Sequence, residues 1–317
     1  MIVHWAPLAE LPELLAEAGI ANPFVIASPR WLSLDLPAGA GLWTEVPSER
    51  AQVPPGADGV LAVGGGSAID TGKYASAQSG LPLVHVPTTY SGAEWTTHYG
   101  IRTPDRRIQG GGGGAHPVGI LYDVELTLGL PRAETAGTAL NGLAHCAEAL
   151  YVPSRSPEGD EQALAGARLI SDALPRVLAD GSDRAARTDL LRGAMHGGHA
   201  LGLTGLALAH AMAQALGGTF GLPHGAMNAL CLPPALAFNR EIVPAEVERF
   251  AAAIGGDAVE RPRELARLGG FERLRDFDVP EEELPRIAEV AAGRPGNQAN
   301  PRPATADEIL ALLRGMY

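Results

Sequence analysis

The sequence is poor in cysteine and in positive charge. It has 2 cysteines in 317 residues, which excludes a disulfide framework and is typical of a reducing cytoplasm. With 24 Lys and Arg residues against 36 Asp and Glu, its formal net charge is −12. We therefore expect neither nucleic acid nor an anionic membrane as a partner. The first 20 residues carry acidic side chains and no long apolar run, so we expect no signal peptide there.

Long apolar runs are also scarce. The exception is HALGLTGLALAHAMAQALGGTFGL at 199–222, which is rich in Gly and Ala and contains two histidines. We interpret it as a buried helix of a helical domain rather than a membrane span. The hydrophobic fraction of 46% is typical of a globular protein, and the length predicts two domains.

The first part of the chain alternates short apolar runs with helical patterns. Strands are predicted at 24–28, 59–65, 82–88 and 118–123. Continuous apolar strands separated by helices indicate a parallel sheet covered on both faces. We predict a Rossmann-like α/β domain over 1–131, with dinucleotide binding as its role.

From Arg132 onward the periodicity is helical and predicts an all-α domain over 132–317. Helices are predicted at 132–151, 157–179, 183–202, 204–217, 225–238, 244–254, 262–269, 281–292 and 305–315. Ser156 and Thr305 are typical N-caps. A ligand is expected in the cleft between the two domains.

Two segments predict anion binding in the first domain. In AVGGGSAIDTGK (62–73), three glycines follow a strand and open a helix, and Ser67 is a candidate cap. Amides at such a helix start attract phosphate. In HVPTTYSGAEWT (85–96), four hydroxyls follow a strand, on Thr88, Thr89, Tyr90 and Ser91. They are suited to a ribose, a phosphate or a carboxylate, and a capped turn is the alternative.

Three histidines and one asparagine are the candidates for chemistry in the second domain. Asn141 and His145 share a helix face, and His210 and His224 follow downstream. Three imidazoles and an amide can surround a metal ion, although a dication favours a carboxylate. Buried structural histidines are the alternative. Neighbouring Cys146 points about 100° away and is interpreted as a core residue.

Together these motifs resemble the iron-containing alcohol dehydrogenase superfamily. The residues are VGGGSAIDTGK, VPTTYSGAE, LYDVELTLGLP, ALNGLAHCAEALY, the His210 and His224 pair, and NPRPATADEILALL. Within the superfamily the chain is most similar to maleylacetate reductases. The resemblance implies a Rossmann-like domain, a helical domain, and hydride transfer from NADH or NADPH to maleylacetate or a related anionic oxo-acid. It also implies aromatic compound catabolism and a homodimer.

The resemblance also implies roles for individual residues. Cofactor contacts are implied for Gly65, Gly66, Ser67, Asp70, Thr88, Thr89, Ser91 and Arg107. Substrate contacts are implied for Tyr90 and His98. The catalytic and metal positions are Asn141, His145, His210 and His224, with Fe²⁺ or Zn²⁺ as the ion and a metal-free site slightly favoured.

The chain departs from the family pattern at several places. Many members carry Asp at the position of Asn141 and His at that of Gln214. Arg30 slightly favours NADPH. The run Gly110–Gly114, which follows Arg102, Arg106 and Arg107, is interpreted as a flexible loop or a flap over a ligand. Two alternatives remain: a dehydroquinate synthase-like lyase, which shares the fold, and a repurposed, non-catalytic member, which these departures indicate.

Overall fold

A computed structural model describes residues 1–102 and 108–317 of the chain. The described residues divide into two compact units. The first comprises Met1–Thr89 and Ala93–Leu130, and the second comprises Tyr90–Gly92 and Pro131–Tyr317. The roles assigned to the corresponding domains, dinucleotide binding and substrate or metal binding, stay predictions.

The first unit contains a six-stranded parallel sheet. Its strands are β1 (Ile2–Trp5), β2 (Pro23–Ala27), β3 (Gly41–Trp43), β4 (Gly59–Gly64), β5 (Pro82–Pro87) and β8 (His116–Tyr122). They lie in the order β1-β8-β5-β4-β2-β3, and every neighbouring pair is parallel. The predicted parallel sheet is confirmed, and the predicted strands correspond to β2, β4, β5 and β8.

Both faces of this sheet are buried because the side chains alternate between two apolar cores. Val25 and Ala27 of β2 pack into one core, together with helix α1 (Leu11–Glu17). Phe24 and Ile26 of the same strand pack into the other, together with helix α2 (Gly66–Ser79). Because alternate side chains enter two different apolar cores, every position of such a strand is apolar and the sequence shows a continuous apolar run.

The glycine-rich stretch forms part of a hairpin. Strand β6 (Tyr99–Arg102) pairs antiparallel with β7 (Ile108–Gly112), and Gly111 and Gly112 lie opposite Gly100 and Tyr99. The interpretation of Gly110–Gly114 as a flexible loop is therefore wrong for its first residues. Backbone hydrogen bonds form the ladder without side chains, which is why the composition did not reveal it.

The second unit is helical. Its helices are α3 (Arg132–Ala149), α4 (Pro157–Ala179), α5 (Arg184–Leu203), α6 (Leu208–Phe220), α7 (His224–Arg240), α8 (Pro244–Ile254), α9 (Glu260–Leu268), α10 (Leu284–Ala292), α11 (Pro295–Gln298) and α12 (Ala306–Gly315). Most bounds agree with the prediction within a few residues, and only the short α11 was missed. The caps are confirmed: Ser156 accepts a hydrogen bond from the Gly159 amide, and Thr305 forms a capping box with Glu308.

The apolar run near residue 200 spans the end of α5 and all of α6. Among the described residues, no single helix has the length and apolarity to cross a membrane. These two helices together reach that length and composition, but the chain bends by 100° between them.

Candidate functional site

The turn between β4 and α2 is the candidate phosphate site of the first unit. Gly64 has a φ of +146°, and a Cβ there would lie 2.5 Å from Ser28 Oγ. A Cβ at Gly65 would lie 2.8 Å from the Thr89 methyl carbon. Only glycine therefore fits this turn, which leaves the amides of the first turn of α2 accessible to an anion. Ser67 lies exposed within that turn, but Gly65 is the N-cap, so the prediction that Ser67 caps the helix is wrong.

Asp70 lies one turn further along α2. Its carboxylate lies 3.3 Å from Nζ of the buried Lys73 and accepts a hydrogen bond from the Gly100 amide. Lys73 also donates to Thr96 Oγ1 and to the His98 carbonyl, at 2.8 and 2.9 Å. These contacts fix α2 against the β6–β7 hairpin. Asp70 therefore has a structural task, and its implied cofactor contact stays a prediction.

The hydroxyl residues after β5 fall into both units. Thr88 is buried and its amide donates to the Gly64 carbonyl, so it adjoins the glycine turn, as Thr89 does. Ser91 belongs to the helical unit, where its backbone carbonyl accepts a hydrogen bond from the side-chain Nδ2 of Asn141. Tyr90 is fully buried there, and its hydroxyl accepts from Arg187 at 2.9 Å. Its implied substrate contact stays a prediction.

Two further predicted contacts fall in or near the hairpin. The His98 side chain is exposed in the first unit, and its implied substrate contact stays a prediction. Arg106 and Arg107 lie outside the described residues. Near β2, Arg30 donates to the Gly129 carbonyl at 3.2 Å and stacks on Trp31 at 4.5 Å.

In the helical unit, a glycine contact brings two helices of the candidate site together. A Cβ at Gly225 would lie 2.4 Å from the carbonyl carbon of Gly137, so α3 and α7 touch backbone to backbone. His224 begins α7 beside this contact, while Asn141 follows one turn after Gly137 on α3. The close approach of the helices therefore places His224 near Asn141.

The structure brings together the four residues that the motifs indicated. The rings of His145 and His210 stack at 4.8 Å with 13° between their planes, and His224 lies 5.8 Å from His210. Asn141 lies between them: its Nδ2 is 3.4 Å from His145 Nε2, and its Oδ1 is 3.4 Å from His210 Nε2. All are buried except His224, which is half-buried.

Two residues that the sequence analysis missed complete this cluster. Glu148 on α3 is fully buried and lies 2.7 Å from His210 Nδ1, and it also accepts from the amides of Ala207 and His210. Asn228 on α7 is fully buried, and its Nδ2 is 2.8 Å from Asn141 Oδ1 and 3.1 Å from His224 Nε2. Glu148 had a detectable signal, because it shares a helix face with His145 and Asn141.

The cluster does not fit a divalent metal ion. A divalent ion favours a carboxylate ligand, and the three imidazoles and the Asn141 amide supply no negative charge. The Asn228 amide also points a donor at Asn141 Oδ1 and His224 Nε2. In the described part of the chain, no group of three His, Cys, Asp or Glu side chains has an arrangement suited to a metal.

An arginine that pairs with no carboxylate of the described residues contacts α6 one turn beyond His210. Arg294 donates from Nη2 to the Gln214 carbonyl at 3.1 Å, and its Nη1 lies 3.4 Å from Gln214 Oε1. Gln214 is one turn beyond His210 on α6. Burial lowers the pKa of Arg294, and no acid within the described ranges forms an ion pair with it. Arg294 was not among the predicted site residues because it lies far from the histidine motifs along the chain.

The remaining polar candidates of the helical unit are structural. Cys146 is fully buried, and burial raises the pKa of its thiol, which keeps it neutral and unreactive. His196 Nδ1 lies 2.6 Å from Gln162 Oε1, and His199 lies 3.9 Å from Glu158. The interpretation of Cys146 as a core residue is confirmed.

Comparison with known proteins agrees with this architecture. Residues 135–317 match the model described as Fe-containing alcohol dehydrogenase family, C-terminal, and residues 50–116 match that of Iron-containing alcohol dehydrogenase. The chain is 38% identical to a maleylacetate reductase of Burkholderia cepacia over 83% of this chain and 74% of that one. It is 34% identical to maleylacetate reductase 1 of Cupriavidus pinatubonensis over 96% of this chain and 90% of that one. A solved maleylacetate reductase from Agrobacterium tumefaciens superposes with a TM-score of 0.89 at 30% identity, covering 100% of this chain and 95% of that one.

Proposed function

The chain belongs to the iron-containing alcohol dehydrogenase family, and we propose that it is an NAD(P)H-dependent oxidoreductase that reduces maleylacetate or a related small oxo-acid. The relatives at 34–38% identity are named for that reaction. The observation within the chain that carries the proposal is the buried cluster of Asn141, His145, His210 and His224, supported by Glu148.

The glycine turn supports a dinucleotide in the first unit. We propose that the amides of Gly65, Gly66 and Ser67 bind the pyrophosphate, because α2 begins there and these three residues are partly or fully exposed. Thr88 and Thr89 adjoin this turn, so their contacts with the cofactor belong to the same proposal. When bound, the reduced nicotinamide supplies the hydride. Contacts of Asp70, Ser91 and Arg107 with the cofactor, and the choice between NADH and NADPH, remain part of the proposal.

The imidazole cluster supports carbonyl reduction without a metal. A ketone oxygen gains negative charge as hydride reaches its carbon, and hydrogen-bond donors aimed at that oxygen stabilise the charge. His224 is the most exposed of the three rings, so we assign it the contact with the substrate oxygen. Glu148 accepts from His210 Nδ1 and holds that ring in one orientation. No step requires a metal ion, because the arrangement does not fit one.

Arg294 supports an anionic substrate. A half-buried guanidinium without a carboxylate partner is suited to a carboxylate ligand, which it can bind through two parallel hydrogen bonds. Since Arg294 contacts Gln214, one turn from His210, we propose that it binds a substrate carboxylate. Substrate contacts of Tyr90 and His98, a homodimer, a cytoplasmic location and a role in aromatic compound catabolism belong to the same proposal.

The test measures oxidation of NADH and of NADPH by the purified chain with maleylacetate, a panel of other oxo-acids, and simple aldehydes. We expect stoichiometric cofactor oxidation with an oxo-acid, and at least a hundredfold loss in the variant His224→Ala. The matched control His199→Ala changes a histidine outside the cluster and is expected to keep full activity. Absence of cofactor oxidation with every compound refutes the proposal. Product formation without net cofactor oxidation indicates a lyase of the dehydroquinate synthase type instead.

A further inference from the structure

The amide of Asn228 lies at the junction of two groups that metal-dependent chemistry would need as ligands. Its Nδ2 is 2.8 Å from Asn141 Oδ1 and 3.1 Å from His224 Nε2. Both residues lie at positions that the motifs indicated for a metal. Asn228 itself is fully buried on α7, one turn after His224, so its position is fixed by the helix.

The direction of the hydrogen bonds in this junction follows from one backbone group. The Ser91 carbonyl can only accept, and it lies 3.2 Å from Asn141 Nδ2. Asn141 Oδ1 therefore faces Asn228 as an acceptor, and Asn228 must present its NH₂ group there. The opposite orientation of Asn228 would place two amide oxygens 2.8 Å apart. The same NH₂ group then faces His224 Nε2, which accepts only when that nitrogen carries no proton.

This orientation of Asn228 carries a cost that its contacts must offset. Its Oδ1 is buried without a hydrogen-bond partner among the described residues. A buried acceptor left unpaired costs about 1–3 kcal/mol. The amide is therefore held by what its nitrogen binds, namely Asn141 Oδ1, His224 Nε2 and, at 3.3 Å, the His224 carbonyl.

We propose that Asn228 is a positioning residue that takes the place of a metal ion in this cluster. Its two N–H groups bind the lone pairs of Asn141 Oδ1 and His224 Nε2, orient both side chains, and leave neither available to a divalent cation. The proposal rests on the assignment of the cluster as the active site, but it concerns cation binding and not turnover.

The experiment compares Co²⁺ binding to metal-stripped protein by visible absorption and calorimetry. Asn141→Asp supplies a carboxylate, and Asn228→Ala removes the amide. We expect the double variant Asn141→Asp/Asn228→Ala to bind one Co²⁺ per chain at least tenfold more tightly than Asn141→Asp alone. The matched control is Asn141→Asp/Asn239→Ala, since Asn239 is a buried asparagine of α7 that bonds Asn300 instead. It is expected to bind Co²⁺ as Asn141→Asp does.

Three results would overturn the proposal. One is a gain below tenfold in the double variant, the second is an equal gain in the Asn239 control, and the third is stoichiometric Co²⁺ binding by the unmodified chain with the affinity of the double variant. If the double variant does not fold, nitrogen NMR of the unmodified chain decides. We expect the His224 proton on Nδ1, and a proton on Nε2 refutes the proposal. None of these measurements uses reductase activity, so the proposed function can fail or stand independently.

Discussion

Glu148 offers the sharpest test of how the histidine cluster is held. Its carboxylate is fully buried and accepts three hydrogen bonds, from the Ala207 amide at 2.8 Å, the His210 amide at 3.1 Å and His210 Nδ1 at 2.7 Å. The two amides belong to the start of α6, where backbone donors have no partner within the helix. One side chain therefore both caps α6 and fixes the ring of His210.

The expected loss of stability follows from these bonds. In Glu148→Gln, the amide oxygen can take the place of Oε2 and keep the bonds to Ala207 and His210 Nδ1. The NH₂ group then faces the His210 amide, so one bond to a charged acceptor is replaced by two opposed donors. Since such a bond contributes about 1.5–3 kcal/mol, we expect the free energy of unfolding to fall by about 2 kcal/mol. Glu148→Ala loses all three bonds, and we expect a fall of about 4–5 kcal/mol.

The assay is urea denaturation followed by the helical circular dichroism signal. The control is Glu158→Gln, which removes an acid with a 63% exposed side chain and is expected to stay within about 0.5 kcal/mol of the unmodified chain. If Glu148→Gln is as stable as that control, the three bonds do not carry the stability assigned to them. We also expect Glu148→Gln to keep more reductase activity than Glu148→Ala, because it keeps the acceptor for His210 Nδ1.

Four further predictions concern other parts of the chain. Gly225→Ala places a Cβ 2.4 Å from the Gly137 carbonyl carbon, so we expect a loss of about 1–3 kcal/mol in unfolding free energy and about a hundredfold in kcat/KM; unchanged kinetics would contradict the glycine contact. Burial raises the pKa of Glu94, so the folded state binds its proton more tightly than the unfolded state. Stability should therefore fall as pH rises from about 4.5 through the raised pKa; Glu94→Gln should lack this slope in denaturation curves across that range, and parallel curves would refute the assignment. Arg294→Gln should raise KM for a dicarboxylate oxo-acid about tenfold with kcat nearly constant, while KM for a simple aldehyde stays unchanged; equal effects on both substrates would exclude carboxylate binding. Gly65→Ala should weaken NADH binding at least tenfold in a fluorescence titration because its Cβ meets Thr89 at 2.8 Å, and unaltered affinity would place the pyrophosphate elsewhere.

Local patterns predicted the central sheet and nearly all helices, but not the edges of the sheet. Helix α4 begins and ends at the predicted residues because a cap and a proline start it and an amphipathic repeat continues it. The edge strands β1 and β3 have four and three residues, which is too short for a repeat. Strand β7 consists largely of glycine, so no side-chain pattern exists to detect, and its pairing depends on backbone groups alone.

The sequence by itself determined which residue types lie on the same face of one helix. Asn141, His145 and Glu148 share a face of α3 because residues three and four apart are neighbours on any helix. It also determined the glycine turn before α2, because the conformation of such a turn depends on the residues within it.

The tertiary structure alone decided which partners those groups have. Glu148 of α3 contacts His210 of α6, and Asn228 of α7 contacts Asn141 of α3. These pairs are separated by 62 and 87 residues along the chain. Gly225 and Gly137 allow α3 and α7 to approach closely, and the periodicity within one helix does not predict such a contact. The physical reason is that a local repeat sets the direction of a side chain, whereas the distance between two helices depends on how their surfaces pack. Whether Asn141 faces a metal ion or another amide is therefore a property of packing.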